Sequence, residues 1–494
     1  MIPLSLAQIA RITGGDLAGE PTALVTGEVV IDSRRSGPGG LFAAVAGERA
    51  DGHDFAADAI AAGAVAVLAT RPVPVPSVLV PDVEAALAAL ARYVTDALPA
   101  ARIAGITGSS GKTSTKDLAA QLTERLGPTI APSGSFNNEL GLPLTVLRAD
   151  PSTRYLVLEL SARGLGHIAQ LCRIAPPRYG VVLNVGRAHA GEFGGLDRVA
   201  QAKGELVEAL PADGVAILNA DDPRVLAMAA RTQARVVTFS AAPRAARTPH
   251  APLIAAADIR LDDLGRPSFT LLTPEGPAPV ALRLHGAHNV PNALAAAALA
   301  RELGLGLADI ADALSAAVAR SRWRMEVHRR ADGVTIINDA YNANPESARA
   351  AIEALGHLAR DGRGFAVLGH MAELGGFSRA SHEEIGAFAA RAELAGLIAV
   401  GPEAEPLLAG ARQVRSWHGE ALAVPDGAAA VDALANQLKP GDVVLVKASR
   451  AAHLEGVAEL LIQGGDPPGT PPHGGAVRPP VPPRPPRPRE EADR

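Results

Sequence analysis

The chain has 494 residues, 48% of them hydrophobic, which predicts roughly three domains with well-filled cores. The formal net charge is -5, and no basic block precedes the C-terminal tail, so nothing indicates a nucleic-acid partner. Cys172 is the only cysteine, which excludes an intramolecular disulfide, and the longest uncharged apolar run, about residues 59–70, is too short to span a bilayer. With no signal peptide evident at the N-terminus, these features favour a cytoplasmic protein without membrane insertion.

Residues 1–100 are predicted to form a small α/β domain. Short apolar strands alternate there with an alanine-rich helix, as in residues 53–63 followed by an apolar run at residues 64–68. Residues 1–10 indicate a short helix.

Residues 101–320 are predicted to form a central domain in which strand, glycine turn and helix repeat. The strands are expected to begin at Arg102, Tyr155, Tyr179 and Val215, and this alternation predicts a mainly parallel sheet covered by helices. Residues 253–285 indicate antiparallel strands with turns at Gly265 and Gly276, and residues 289–303 indicate a helix. Ligands of such sheets bind at the carboxyl ends of the strands.

Residues 321–463 show a second α/β alternation and are predicted to form a third domain. Its strands are expected near residues 334–338, 365–368, 397–400 and 443–446. Residues 464–494 are rich in proline and arginine with few apolar side chains, which predicts a disordered tail. The predicted fold class is therefore α/β with three domains.

The strongest chemical signal is a glycine turn between a strand and a helix. It comprises Thr107, Gly108, Ser109, Ser110, Gly111, Lys112, Thr113 and Ser114, and the helix that follows is expected from Ser114 to Leu126. Backbone N–H groups of the turn can cradle phosphates, Lys112 can reach the terminal phosphates of ATP, and the Thr113 hydroxyl can bind Mg²⁺. Ile106 stands where the general spacing of this motif has its first glycine, and a simple tight turn is the alternative.

Two further residues follow central strands and are candidate magnesium ligands. Glu159 ends the apolar run that begins at Tyr155, and His189 follows the run at residues 181–185. A carboxylate at the end of a neighbouring strand is a natural Mg²⁺ ligand, although a surface glutamate is the alternative. A histidine at such a position is equally compatible with packing or solvent exposure.

Lysine is scarce in this chain. Of 47 basic residues only five are lysines, namely Lys112, Lys116, Lys203, Lys439 and Lys447, which directs attention to sites that require an amine. Lys203 lies in a predicted helix from Asp197 to Leu210 that Asp197 is expected to cap. On local sequence alone, a solvated lysine remains the default interpretation there.

Several ordered motifs resemble those of the Mur ligases over about residues 25–462. They are the segments 107–114, 136–143, 202–205 and 339–345, joined in the first domain by 32–34, 38–42 and 51–55. The resemblance implies a three-domain architecture with a central phosphate-loop domain and a Rossmann-like C-terminal domain. The chain departs from the family pattern at Gly191, at His370, where an aspartate is usual, and at Ala448, where a glycine is usual.

The resemblance also implies roles for individual residues. ATP contacts fall on the glycine turn and on Asn289, Arg324 and Asp339, and magnesium contacts on Thr113, Glu159, His189 and Lys203. Lys203 matches a lysine that the family carries as a carbamate. The same matching assigns catalysis to Lys112, His189 and Lys203. Substrate contacts are assigned to Asp32, Ser33, Arg34, Asn137, Asn138, Ser161, Asn342, Asn344, Lys447, Ser449 and Arg450.

The motif at residues 339–345 favours the family activity that joins D-alanyl-D-alanine to UDP-N-acetylmuramoyl-tripeptide. ATP and Mg²⁺ are the expected cofactors, and the protein is expected to be a monomer. An acyl phosphate is the implied intermediate. The alternatives are another ligase of the family, a folylpolyglutamate synthase-like enzyme, or an inactive scaffold that binds nucleotide. Intact Lys112, Glu159, His189 and Lys203 argue against the scaffold.

Overall fold

The computed structural model describes residues 1–47, 50–187, 190–242, 253–435 and 437–464. His189 and nearly all of the predicted tail lie outside these residues. The described part of the chain forms three α/β domains in sequence order, each built on its own main sheet. It contains no helix that is long and apolar enough to cross a membrane.

The first domain contains a five-stranded sheet in the order β2-β7-β6-β5-β4 and a separate antiparallel pair, β1 and β3. Its elements are β1 Leu4–Ser5, α1 Leu6–Thr13, β2 Asp16–Ala18, β3 Leu24–Val25, β4 Val29–Val30, β5 Leu41–Ala43, α2 Ala56–Ala61, β6 Ala66–Ala69, β7 Ser77–Leu79 and α3 Val83–Ala97. The first helix starts at Leu6 because Ser5 and Gln8 form a reciprocal capping box.

The central domain carries a nine-stranded sheet in the order β16-β15-β14-β13-β12-β11-β8-β10-β9. Its strands are β8 Arg102–Thr107, β9 Thr129–Ile130, β10 Tyr155–Glu159, β11 Tyr179–Val182, β12 Val215–Asn219, β13 Arg235–Ser240, β14 Ile254–Leu261, β15 Pro267–Thr273 and β16 Gly276–Ala281. Its helices are α4 Lys112–Thr123, α5 Gly141–Val146, α6 His167–Ile174, α7 Ala190–Phe193, α8 Leu196–Glu208, α9 Pro223–Leu226, α10 Asn289–Glu302 and α11 Leu307–Ala316.

The order of the strands indicates where this sheet binds a ligand. Strands β8 to β14 run parallel, and β14, β15 and β16 pair antiparallel, which confirms both sequence predictions. After β8 the chain runs first to β9 and β10 on one side and then to β11 on the other. The strand order therefore reverses at β8, where parallel sheets open a crevice at their carboxyl ends.

The C-terminal domain has a six-stranded sheet in the order β17-β18-β22-β19-β20-β21, parallel except for the β17–β18 pair. Its elements are β17 Glu326–Arg329, β18 Thr335–Asn338, α12 Pro345–Leu358, β19 Gly364–Leu368, α13 Ser378–Arg391, β20 Gly396–Val400, α14 Pro406–Arg412, β21 Glu420–Val424, α15 Gly427–Ala435, β22 Val443–Lys447 and α16 Glu455–Gln463. All four strands expected here are present.

Three expectations about helix starts are wrong. The N-terminal helix, expected over residues 1–10, begins only at Leu6, after strand β1. The helix after the glycine turn begins at Lys112 rather than Ser114, because Gly111 already supplies the left-handed residue that precedes it. Helix α8 begins at Leu196, and its N-cap is Gly195 with φ 135, so Asp197 is a first-turn residue and not a cap.

Candidate active site

The glycine turn lies between β8 and α4, as the sequence predicts, and Asn184 holds its backbone. The side-chain oxygen of Asn184 accepts hydrogen bonds from the N–H groups of Ser109 (3.0 Å) and Ser110 (2.9 Å). Gly111 has φ +80, and a Cβ there would lie 2.4 Å from Asn292 Oδ1. Glycine is therefore required both by backbone conformation and by the close approach of α10.

Lys112 points back into the turn, where its Nζ donates to the Gly108 carbonyl at 2.7 Å. Burial lowers the pKa of this amine; the nearby Glu159 carboxylate opposes that shift, and Arg324 adds to it. The arrangement places an amine donor beside the phosphate-binding backbone, where it can contact a bound anion.

Glu159 is the centre of an oxygen-rich cluster. It is only 2% exposed, and it accepts hydrogen bonds from Thr113 Oγ1 at 2.8 Å and from Asn137 Nδ2 at 2.6 Å. Ser135 Oγ lies 3.2 Å from the Thr113 hydroxyl. A hydroxyl and a carboxylate in contact are hard oxygen donors of the kind that Mg²⁺ prefers, so these residues fit the ion chemically.

Lys203 is buried on α8, with 4% exposure, although it does not line the cleft described below. Burial depresses its pKa far below the usual value, and the nearby Lys112 cation adds to this effect. No hydrogen bond or ion pair to its amine occurs among the described residues. A neutral buried amine is the form that reacts with CO₂ to give a carbamate, which an arginine side chain cannot do.

Residues of the C-terminal domain face the glycine turn across a cleft of about 1150 Å³. Arg324 donates to Ser135 Oγ at 3.0 Å and stacks on the Tyr341 ring at 4.3 Å. Asn344 Nδ2 reaches the Ser109 carbonyl at 3.4 Å. The central and C-terminal domains therefore build one site together.

A buried ion pair forms the C-terminal wall of this cleft. Lys447 Nζ donates to Asp339 Oδ2 at 2.6 Å and to the Asn342 carbonyl at 2.8 Å, while Asp339 Oδ1 accepts from the Met325 N–H at 3.1 Å. The pair links β22 to the loop after β18 and fixes the orientation of Asp339.

Most of the residues predicted from the sequence come together here. The cleft is lined by Ser109, Ser110, Gly111, Lys112, Thr113, Ser114, Asn137, Asn138, Glu159, Ser161, Asn289, Arg324, Asp339, Asn342, Asn344, Lys447, Ser449 and Arg450. Thr107 and Gly108 lie just behind it, where the Thr107 hydroxyl donates to the Leu160 carbonyl and Gly108 packs against Leu183.

Three predicted residues lie elsewhere. Asp32, Ser33 and Arg34 do not line this cleft. They sit on the first domain, where Arg34 makes a two-point ion pair with Asp32 at 2.9 and 2.8 Å. The His189 prediction falls outside the described residues.

Sequence reasoning missed several residues of the site. Asn184, Ser135 and Tyr341 contact residues of the site. Glu346 crosses the cleft to accept from the Arg187 N–H at 2.7 Å. Asn184 is the only one with a clear local signal, since it is a polar residue at the carboxyl end of an apolar run next to the glycine turn.

The fold and the cleft define an ATP-using enzyme with three α/β domains. Sequence models match residues 27–108 (Mur ligase family, catalytic domain), 106–300 (Mur ligase middle domain) and 323–450 (Mur ligase, glutamate ligase domain). The chain therefore belongs to the Mur ligase family.

Individual relatives match almost end to end. The chain is 49% identical to the UDP-N-acetylmuramoyl-tripeptide--D-alanyl-D-alanine ligase of Mycobacterium tuberculosis strain H37Rv, covering 94% of this chain and 98% of that one. Its fold is similar to that of a UDP-N-acetylmuramoylalanyl-D-glutamyl-2,6-diaminopimelate--D-alanyl-D-alanyl ligase from Acinetobacter baumannii (31% identity, 93% and 98% coverage, TM-score 0.78). It is also similar to the MurF ligase of Thermotoga maritima in complex with ADP (32% identity, 89% and 98% coverage, TM-score 0.74).

Proposed function

We propose that this chain joins D-alanyl-D-alanine to UDP-N-acetylmuramoyl-tripeptide at the expense of ATP, a step in peptidoglycan precursor synthesis. The observation that carries the proposal is 49% identity, over nearly the whole of both chains, to a ligase of that name. The cleft supports it, because it combines a phosphate loop, a buried carboxylate and two facing domains.

The proposed chemistry runs through an acyl phosphate. The terminal carboxylate of the tripeptide attacks the γ-phosphorus of ATP and ADP leaves; the dipeptide amine then attacks the acyl carbon, loses a proton and displaces phosphate. Lys112 and the N–H groups of the glycine turn offset the repulsion between the carboxylate and the triphosphate. Asn289, Arg324 and Asp339 hold the rest of the nucleotide.

The residues proposed to hold magnesium are Thr113, Glu159, His189 and a carbamylated Lys203. When bound, the ion neutralises charge on the transferring phosphoryl group. The contact between Thr113 and Glu159, together with the burial that lowers the pKa of the Lys203 amine, supports this assignment.

Domain closure protects the intermediate from water. Asn344 reaches the Ser109 carbonyl, and Glu346 reaches the Arg187 N–H, so both bridge the cleft. Exclusion of water matters because an acyl phosphate hydrolyses readily.

The remaining substrate contacts are assigned by position. Asp32, Ser33 and Arg34 contact the uridine nucleotide on the first domain, while Asn137, Asn138, Ser161, Asn342 and Asn344 contact the peptide. Lys447, Ser449 and Arg450 serve the dipeptide amine substrate or closure. A cytoplasmic monomer with domain boundaries near residues 100, 320 and 463 completes the proposal.

The test is phosphate release from ATP by purified protein with magnesium, UDP-N-acetylmuramoyl-tripeptide and D-alanyl-D-alanine, with mass analysis of the product. Release that requires both substrates and yields the pentapeptide supports the proposal. Release that requires a different amine assigns the chain to another ligase of the family. No release with any amine contradicts a ligase function and leaves the nucleotide-binding scaffold.

A further inference from the structure

Four ionisable side chains line one side of the cleft without a role in the steps above. Glu139, Arg163 and His167 come from the central domain and Glu373 from the C-terminal domain. We refer to these four residues as the outer charged group. His167 Nδ1 lies 3.3 Å from Glu139 Oε1, and Arg163 Nε lies 3.9 Å from Glu373 Oε1.

Arg163 and Glu139 of the outer charged group are accessible to a ligand. The Arg163 side chain is 70% exposed and that of Glu139 30% exposed. At 3.9 Å the contact of Arg163 with Glu373 is longer than a hydrogen bond, and exposed pairs of this kind contribute little to folding. Their arrangement in the cleft wall therefore calls for another explanation than stability.

The backbone places this group beside the reaction centre. Asn137 bonds to Glu159 through its side chain, and its carbonyl accepts from the Ser161 N–H at 3.0 Å. Glu139 follows Asn137 by two residues, and Arg163 follows Ser161 by two residues. Two chain segments that lie side by side thus position the Glu139 carboxylate and the Arg163 guanidinium near Thr113 and Glu159.

If the proposed function is correct, that position corresponds to the third residue of the tripeptide substrate. The carboxylate that is activated in a tripeptide belongs to its third residue, so the side chain of this residue is held within a few bonds of the centre. In the Acinetobacter baumannii ligase the third residue is 2,6-diaminopimelate. The side chain of this amino acid ends in both an ammonium and a carboxylate, whereas that of lysine ends in an ammonium alone.

We propose that the outer charged group binds the zwitterionic end of the third residue and thereby selects a diaminopimelate tripeptide over a lysine tripeptide. Glu139 accepts from the substrate ammonium, and the Arg163 guanidinium donates to the distal carboxylate. Guanidinium–carboxylate contacts are directional and charge-assisted, which suits recognition of a group that lysine lacks. His167 and Glu373 position Glu139 and Arg163.

The test compares two substrates, UDP-N-acetylmuramoyl-tripeptide with diaminopimelate or with lysine as third residue, at saturating ATP and D-alanyl-D-alanine. We expect the wild type to favour diaminopimelate in kcat/KM by about tenfold or more, the magnitude of one charge-assisted hydrogen bond. In Arg163→Met this ratio falls by about tenfold, chiefly through KM for the diaminopimelate substrate. Arg163→Lys retains part of the preference because it keeps the charge.

Arg178→Met is the matched control, since Arg178 forms a surface ion pair with Asp213 at 2.7 Å away from the cleft. It should leave the ratio unchanged. Equal use of both substrates by the wild type, or an equal loss for both in Arg163→Met, overturns the specificity proposal while the ligase function stands. A wild type that is inactive with both substrates overturns the proposed function, and this inference with it.

Discussion

Lys203 and Lys447 are both buried, yet their surroundings give them different chemistry. The Lys447 amine donates to Asp339 and to a backbone carbonyl, so its charge is compensated. The Lys203 amine has no such partner among the described residues, and burial lowers its pKa far below the usual value. Lys447 is therefore suited to hold a neighbour in place, and Lys203 is suited to be modified.

Replacement of Lys203 by Met should separate function from folding. The folded-state pKa of Lys203 lies below its unfolded value near 10, so the unfolded chain binds the proton more tightly and the amine destabilises the native state below that pH. In CO₂-free buffer at about pH 7, Lys203→Met should melt no lower than the wild type. Ligation should fall by about 100-fold or more, as for loss of a group that holds a catalytic metal.

Calorimetry and phosphate release measure these two effects. The exposed Lys439 supplies the control, and Lys439→Met should retain activity. In the wild type, activity should decline as the pH falls through the folded-state pKa of Lys203, because a protonated amine cannot carry the carbamate. Near-normal turnover by Lys203→Met would contradict the carbamate assignment.

The pair of Lys447 and Asp339 leads to a second prediction. Lys447→Met leaves the Asp339 carboxylate partly buried without its partner, which should lower the free energy of unfolding by about 3 kcal/mol. The double variant Lys447→Met/Asp339→Asn should recover part of this loss, since no uncompensated charge remains. Urea unfolding of the single and double variants measures the coupling; strictly additive losses would contradict it.

At the scale of elements, the junction of β8, the glycine turn and α4 depends on one position. Gly111 combines a positive φ with the close approach of Asn292 on α10. Helix α10 is buried against α4, so neither helix can move away without disturbing the core. The geometry of the phosphate loop is consequently fixed by helix packing as well as by its own sequence.

Gly111→Ala should therefore impair both stability and ATP binding. Gly14→Ala is the matched control, because Gly14 also has a positive φ of +66, but a Cβ added there would meet no atom within 4 Å. Backbone strain alone should cost about 1 kcal/mol in Gly14→Ala, whereas Gly111→Ala should lose more and weaken ATP binding at least about tenfold. Thermal melting and nucleotide titration measure both; equal effects in the two variants would contradict a role for the Asn292 contact.

At the scale of the whole molecule, the cleft exists only where two domains meet. Arg187 of the central domain contacts C-terminal residues twice, through its N–H to Glu346 and through its guanidinium to Glu384 at 2.5 Å. No described residue of the first domain lines the cleft. Binding of nucleotide should thus affect the central and C-terminal domains and leave the first domain unchanged.

Hydrogen exchange with and without a non-hydrolysable ATP analogue tests this division. We expect slower exchange in residues 109–115 and, together with them, in the first turn of α12, because the nucleotide fills the cleft between them. Exchange within β4 to β7 of the first domain should not change. Protection confined to the central domain would contradict a site shared with the C-terminal domain.

The sequence by itself determined the α/β class, the strands of the third sheet, the glycine turn and Glu159, because hydrophobic periodicity and glycine turns act over short stretches of chain. The motif at residues 202–205 singled out Lys203 as well, although the local sequence favoured a solvent-exposed side chain. Helix starts were wrong at α4 and α8, where a glycine rather than a polar cap precedes the first turn. Local rules thus located the elements but not their limits.

Only the tertiary structure decided which of these residues meet. The burial that changes Lys203, the Asn184 and Asn292 contacts with the glycine turn, and the pairing of Lys447 with Asp339 all join segments far apart in the chain. The outer charged group likewise exists only because two loops of one domain and one loop of another line the same cleft. Burial and proximity are properties of packing, and packing between distant segments leaves no periodic trace in the sequence.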